Sequence, residues 1–259
     1  MIASTPPTLH VRASNGDRLP VRMWLPAQRA RRIVVALHGM VTHAGWFAPL
    51  GELLAARGVA LVAPDRRGNG LARGLPGAGD SELLIADVAS VVHSARELAG
   101  DVTLLSWCGS ANFAVPAAAE VPIDRFVLAS PGLVPLAEMA ARFRARAPVD
   151  GYLAIHFDPA TDFTDDPAVQ TMIRADELYL RRVSVAVRDA WRHLNPRARA
   201  ALATLPVPVR CVLTRTDRMI DIARTVELLG DIPVSWADGG HGFVVEPAGA
   251  RFTAELLAS

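Results

Sequence analysis

The side chain best placed in this chain to act as a nucleophile is Cys108, set between small residues in Ser106-Trp107-Cys108-Gly109-Ser110. The apolar run Val102-Thr103-Leu104-Leu105 leads into it, and an Ala-rich helical pattern from Ala111 to Ala119 follows at once. A strand that turns straight into a helix lifts the residue at the turn above a sheet, which is the layout of a nucleophile elbow. Small flanking residues are needed because longer side chains would strike the neighbouring strand and helix. The usual pattern is G-x-S-x-G. Here Ser106 and Ser110 replace the glycines and a thiol replaces the hydroxyl. Taken alone, small-x-Cys-x-small also describes a buried cysteine at the end of a core strand.

Further features shift that balance. Arg32-Ile33-Val34-Val35-Ala36-Leu37 is a buried-strand run, and His38-Gly39-Met40 opens a loop whose backbone N–H groups can face a nucleophile. Val59 to Ala63 is a second such run, ending in the charged, glycine-rich Asp65-Arg66-Arg67-Gly68-Asn69-Gly70. Late in the chain, Val209 to Thr214 delivers an acid, Asp217, and Gly240-His241-Gly242 supplies a glycine-flanked histidine. Asp221 competes with Asp217 for the acid position. Nucleophile, acid, histidine is one of the few chain orders in which such triads occur.

The L-H-G-x, D-x-R-G-x-G and D-R-x-x-D strings resemble those of the α/β-hydrolase superfamily, in particular its monoacylglycerol lipase and serine-aminopeptidase-like branch. The resemblance runs over nearly the whole chain. It implies a mostly parallel, doubly wound sheet with an N-terminal antiparallel hairpin and a helical cap insertion. It implies Cys108 as nucleophile, His241 as base and Asp217 as acid, with the N–H groups of Met40 and Gly109 as the oxyanion hole. Cysteine for serine, serines for both elbow glycines and Asn69 where that branch usually carries histidine are departures from its pattern.

The elements must hold these residues together. Leu9–Ala13 and Arg18–Leu25 alternate as a hairpin about Asn15-Gly16. Strands are expected at 33–37, 59–63, 102–106, 126–129, 207–213 and 234–236. Helices are expected near 47–57, at 81–98 with Ser81 as a possible cap, at 111–119, near 222–229 and near 248–257. Residues 134–203 break the strand–helix alternation with Arg142, Arg144 and Arg146, an acidic loop from Asp158 to Asp166 and an amphipathic stretch from Ala168 to Leu194. That gives a core of 1–133 and 204–259 with a cap of 134–203. Tyr152, Phe157 and Leu180 are its candidate selectivity residues, and the arginines read as a solvated helix face. Trp46, Trp107 and His43 are candidates for the pocket wall, and His38, Asp65 and Arg67 for holding their own loops.

Composition narrows the chemistry. The chain has 259 residues, 51% hydrophobic, and a formal charge of +1, which gives no reason to expect a nucleic-acid partner. All 27 basic residues are arginine, so no lysine Schiff base is available. His93, His156 and His193 lack metal-ligand spacing, and no metal or cofactor is expected. Cys108 and Cys211 are expected to be unpaired, in keeping with a reducing, cytoplasmic setting. The first seven residues lack a secretory pattern, and no apolar run reaches membrane-spanning length. The expected activity is acyl transfer from a small-molecule thioester or ester, free or carrier-bound, to water, an amine or an alcohol. The alternatives are a lyase or isomerase without a covalent step, and a non-catalytic ligand-binding protein on the same scaffold.

Overall fold

The computed structural model describes residues 8–144, 148–155 and 157–259, without the side chains of 142–144. Arg146, His156, the side chains of Arg142 and Arg144, and the N-terminal seven residues therefore lie outside the described residues.

The chain begins with a hairpin, β1 (Thr8–Arg12) and β2 (Arg18–Trp24), paired antiparallel. Its turn needs a residue in the left-handed region, and Gly16 takes it at φ +88°. Then come β3 (Arg32–Leu37), α1 (Ala48–Ala55), β4 (Val59–Pro64), α2 (Ser81–Leu98), β5 (Asp101–Trp107), α3 (Ala111–Ala118) and β6 (Arg125–Ala129). After an intervening segment follow β9 (Val209–Thr214), α8 (Ile222–Leu229), β10 (Val234–Ala237) and α9 (Pro247–Ala258). That segment carries α4 (Ala137–Arg144), β7 (Tyr152–Ala154), α5 (Pro159–Asp162), α6 (Pro167–Ala175), β8 (Arg182–Ser184) and α7 (Val185–Leu202).

The main sheet has eight strands in the order β1-β2-β4-β3-β5-β6-β9-β10, and every pair from β4 onward is parallel. All six residues of β4 are buried. Successive side chains point to opposite faces, so a fully buried strand means that both faces are covered. The helices that cover them form two packed groups, α1 with α9, and α2 with α3 and α7. The small pair β7–β8 stands apart from the main sheet.

Local chemistry explains most element ends, with one correction. The cap of α2 is Asp80, not Ser81: its carboxylate accepts the N–H groups of Glu82 and Leu83, and Ser81 is already helical. Pro247 opens α9 at its first position, where a missing N–H has no cost. The amphipathic stretch 168–194 is not one element. Asp176 ends α6 in extended conformation, β8 follows, and Ser184 caps α7.

Parallel order places the C-terminal ends of β3, β5, β6, β9 and β10 along one edge. His38-Gly39-Met40, Cys108, Gly132, Asp217 and His241 all leave the sheet there. Open α/β sheets bind ligands at this edge.

Candidate active site

Cys108 sits at φ +60°, a left-handed conformation that costs a non-glycine residue about 1–3 kcal/mol. The surroundings hold it there. Gly132 donates its N–H to the Cys108 carbonyl at 2.8 Å. A β-carbon on Gly39 would lie 3.1 Å from the Cys108 β-carbon and 3.4 Å from its sulfur. The two serines in place of the elbow glycines are buried and bonded. Ser110 Oγ lies 2.8 Å from Ser106 Oγ and 2.9 Å from the Leu37 carbonyl, which ties the elbow to the end of β3. Gly109 has no room for more: its β-carbon would stand 1.8 Å from the indole of Trp191 on α7.

The acid and the histidine meet as a pair. His241 Nδ1 donates to Asp217, 2.8 Å from Oδ2 and 3.0 Å from Oδ1, and neither side chain is exposed. Asp217 Oδ1 also accepts Met219 N–H at 2.8 Å. This tautomer leaves Nε2 as the basic atom, and Nε2 is buried without a nitrogen or oxygen partner among the described residues. Burial by itself disfavours an imidazolium. The Asp217 charge and the facing Cys108 thiol outweigh it and hold His241 above its ordinary value. Burial likewise opposes ionisation of Asp217, but His241 and the Met219 N–H hold its carboxyl below the usual range. Asp221 takes no part in this pair; it caps α8 by accepting Arg224 N–H at 3.0 Å.

The glycines beside His241 have a steric cause. A β-carbon on Gly240 would come within 2.4 Å of the Phe163 carbonyl, which accepts Gly242 N–H at 2.7 Å. The Phe163 ring meets the imidazole edge-on at 4.9 Å between centroids.

Met40 enters from the loop after β3. Its carbonyl accepts from Asn69 Nδ2 at 2.9 Å and from Arg66 Nη2 at 3.0 Å, and Asn69 also donates to the Thr42 carbonyl at 2.8 Å. Asn69 is thus a clamp on the loop. His38 Nε2 accepts Arg66 N–H at 3.0 Å while Nδ1 donates to the Gly39 carbonyl at 2.9 Å. Burial, with the nearby Arg66 charge, pushes His38 down to about 3 and leaves it neutral. Asp65 accepts Ala44 and Leu71 N–H groups, and Arg67 spans from Asp87 on α2 to Asn15 and Asp17 in the hairpin turn.

A cavity of about 390 Å³ opens on Met40, Cys108, Gly109 and His241. Its walls include Met139, Phe157, Trp191, Met219 and Ile220, and Arg188 and Arg192 also line it. A larger groove of about 1060 Å³ runs between residues 68–81 and 177–187 but touches none of Cys108, Asp217 or His241. Tyr152 and Leu180 line that groove; of the three cap candidates only Phe157 lines the cavity at Cys108.

The pocket-wall residues expected from sequence lie elsewhere. Trp107 is fully buried and donates to the His241 carbonyl at 2.9 Å. His43 and Trp46 turn away to Asp176, whose Oδ2 accepts from His43 Nε2 at 2.9 Å and Trp46 Nε1 at 2.6 Å. The walls come instead from α4 and α7 and from the turn after Asp217. Periodicity marks such residues only as one apolar face among several. Cys211 is buried in β9, where burial pushes its thiol up. Among the described residues no three His, Cys, Asp or Glu side chains gather as a metal site would require, and no helix is long and apolar enough to cross a membrane.

Known proteins share this fold. A curated monoacylglycerol lipase of Mycolicibacterium smegmatis is 24% identical over 245 residues, 86% of this chain and 83% of its own length. The crystal structure of Paleococcus ferrophilus monoacylglycerol lipase superposes with a TM-score of 0.74 at 20% identity, covering 93% of this chain and 98% of that one. A soluble variant of monoglyceride lipase from Saccharomyces cerevisiae superposes with a TM-score of 0.79 at 15% identity, covering 99% and 96%. The fold is that of the α/β-hydrolases. The family described as serine aminopeptidase, S33, matches residues 28–241, and the chain belongs to it.

Proposed function

We propose that this hydrolase-family chain is an acyl-transfer enzyme with a Cys108–His241–Asp217 triad. The observation that carries the reading is the strained elbow: a thiol at φ +60°, facing the same cavity as a histidine that a buried carboxylate orients. His241 Nε2 takes the Cys108 proton, and the sulfur attacks the substrate carbonyl carbon. The carbonyl oxygen becomes an oxyanion held by the N–H groups of Met40 and Gly109, each worth about 3 kcal/mol in such a site. Collapse breaks the bond to the leaving thiol or alcohol, which takes the proton from His241, and leaves an acyl thioester on Cys108. Water, an amine or an alcohol then attacks that thioester with His241 as base, and sulfur departs as the proton returns to it.

Sulfur directs the substrate class. An acyl-Cys intermediate lies near a thioester substrate in energy and above an oxygen ester, so activated acyl groups load most readily. The monoacylglycerol lipases similar to this chain support a small-molecule ester; the thiol at the elbow extends the reading to thioesters, free or carrier-bound. The cavity of about 390 Å³ suits one such group. Residues 134–203 act as the cap over a core of 1–133 and 204–259. Unpaired Cys108 and Cys211 fit a reducing compartment, and the cytoplasm is the setting assigned here.

The test is turnover of a panel of acyl thioesters and activated esters by Cys108→Ala and Cys108→Ser, each checked for native folding. Loss of turnover in Cys108→Ala by at least about a thousandfold supports the reading. Full turnover would replace it with a lyase or isomerase that forms no covalent bond, and no turnover by the wild type on any acyl donor would leave a binding protein.

A further inference from the structure

Arg66 is a buried cation without a counterion among the described residues. It is 7% exposed, and no carboxylate lies within ion-pair distance of it among the described residues. Its neighbour Arg67 is the opposite case, paired with both Asp17 and Asp87. Among the described residues the Arg66 guanidinium meets only neutral acceptors: the Met40 carbonyl at 3.0 Å, Asn69 Oδ1 and, at 3.4 Å, the Arg67 carbonyl. Its Nε is buried with no hydrogen-bond partner among the described residues. One face lies 5.6 Å from the ring centroid of Trp191. That ring in turn occupies the space beside Gly109. Arg66 therefore touches, on one side, the residue that carries one proposed oxyanion donor and, on the other, the ring that packs on the second.

A desolvated cation left unpaired is costly, and proteins as a rule pair it or expose it. Burial pulls this guanidinium down to about 10, which still leaves it charged at neutral pH. The charge thus stands in a low-dielectric region behind the loop that borders Cys108, where its field is screened little. His38, whose Nε2 accepts the Arg66 N–H, is neutral and offsets nothing.

We propose that Arg66 is a positioning residue with an electrostatic role: it fixes Met40 through the Met40 carbonyl, and its unpaired charge favours anions at the Cys108 site. This rests on the acyl-transfer reading, in which the anion is the tetrahedral oxyanion. Arg188 and Arg192 also reach the cavity, but Arg188 is paired with Asp189 at 2.8 Å.

The test compares alkylation of Cys108 by iodoacetate and by iodoacetamide at one pH, read by mass spectrometry of the Cys108 peptide. Both reagents attack the same thiolate, so the rate ratio cancels its abundance and reports the local potential. Arg66→Gln keeps a donor for Met40 and removes the charge, and the iodoacetate-to-iodoacetamide ratio should fall about fivefold. Arg66→Lys should keep most of the ratio. An unchanged ratio in a folded Arg66→Gln protein overturns the proposal. Should that variant not fold, Arg188→Gln/Arg192→Gln/His241→Ala with Arg66 intact gives the answer. A ratio still above that of free N-acetylcysteine supports Arg66 as the source, and a ratio equal to it assigns the field to His241 and the cavity arginines and overturns the proposal. On turnover, Arg66→Gln should lower kcat with little change in KM. Alkylation needs no acyl chemistry, so the two readings fail separately: an active Cys108→Ala removes acyl transfer and leaves the ratio standing, whereas an unmoved ratio beside an inactive Cys108→Ala removes only the role of Arg66.

Discussion

The indole of Trp191 fills the space that a side chain on Gly109 would need, 1.8 Å from the position of its β-carbon. One residue belongs to the elbow and the other to α7, so the elbow can keep its shape only while α7 stays in place. Gly109→Ala should therefore displace Trp191 rather than merely tighten a contact. Overpacking of this kind costs about 1–3 kcal/mol. We expect a loss of that size in urea unfolding and a large loss of turnover. Trp191→Leu in the same chain should restore much of the stability and less of the turnover.

The elbow stores strain, which gives a second prediction. Glycine adopts positive φ freely, and Cys108 stands at φ +60°. Cys108→Gly should stabilise the fold by about 1 kcal/mol while removing turnover. Cys108→Ala keeps the strain and should be close to the wild type in stability. Chemical denaturation of the three proteins side by side reads the difference.

Cavity walls should set acyl selectivity. Phe157→Ala enlarges the space beside Cys108, whereas Tyr152→Ala alters the separate groove. Phe157→Ala should reorder a series of acyl chain lengths, since burying acyl surface is worth about 25 cal/mol per Å². Tyr152→Ala should leave the order unchanged. Relative kcat/KM values over the series decide it.

Acid should loosen the join between the Met40 loop and the segment after α6. Burial would raise Asp176, but hydrogen bonds from His43 and Trp46 bring its carboxyl down to about 2. A carboxyl whose folded value is depressed contributes stability above its unfolded value near 3.8, and that stability is lost as pH falls toward 2. The contribution at neutral pH is about 2 kcal/mol. Asp176→Asn should lose about this much stability at pH 7, and its unfolding free energy should fall less steeply between about pH 4 and about pH 2. Parallel curves for the two proteins would remove Asp176 from the account.

Much of this was legible from local pattern. The helix at 222–229 follows from apolar spacing, though its cap, Asp221, read from sequence only as a rival acid, and the strands at β3, β4 and β5 follow from apolar runs between charged or glycine residues. The placement of Cys108, Asp217 and His241 follows from the strand ends that carry them. What local pattern lacks is direction across the fold. Trp107 neighbours Cys108 in sequence, yet its ring points behind the site to the His241 carbonyl. His43 and Trp46 follow Met40 but are drawn away by Asp176, more than a hundred residues on. Trp191 comes to the elbow only because α7 packs on α3. Asp80 and Ser81 are both good caps, and only the extended backbone at Asp80 chooses between them.

The central claim is that Cys108 carries the acyl group. Its most direct test is the intact mass of the protein, acid-quenched within the first turnovers after mixing with an acyl thioester, followed by mapping of any adduct. A mass increase of one acyl group is expected on the wild type, located at Cys108, absent in Cys108→Ala and longer-lived in His241→Ala once loaded. Turnover of the same donor with no adduct at any time point, or an adduct of equal size in Cys108→Ala, would contradict it.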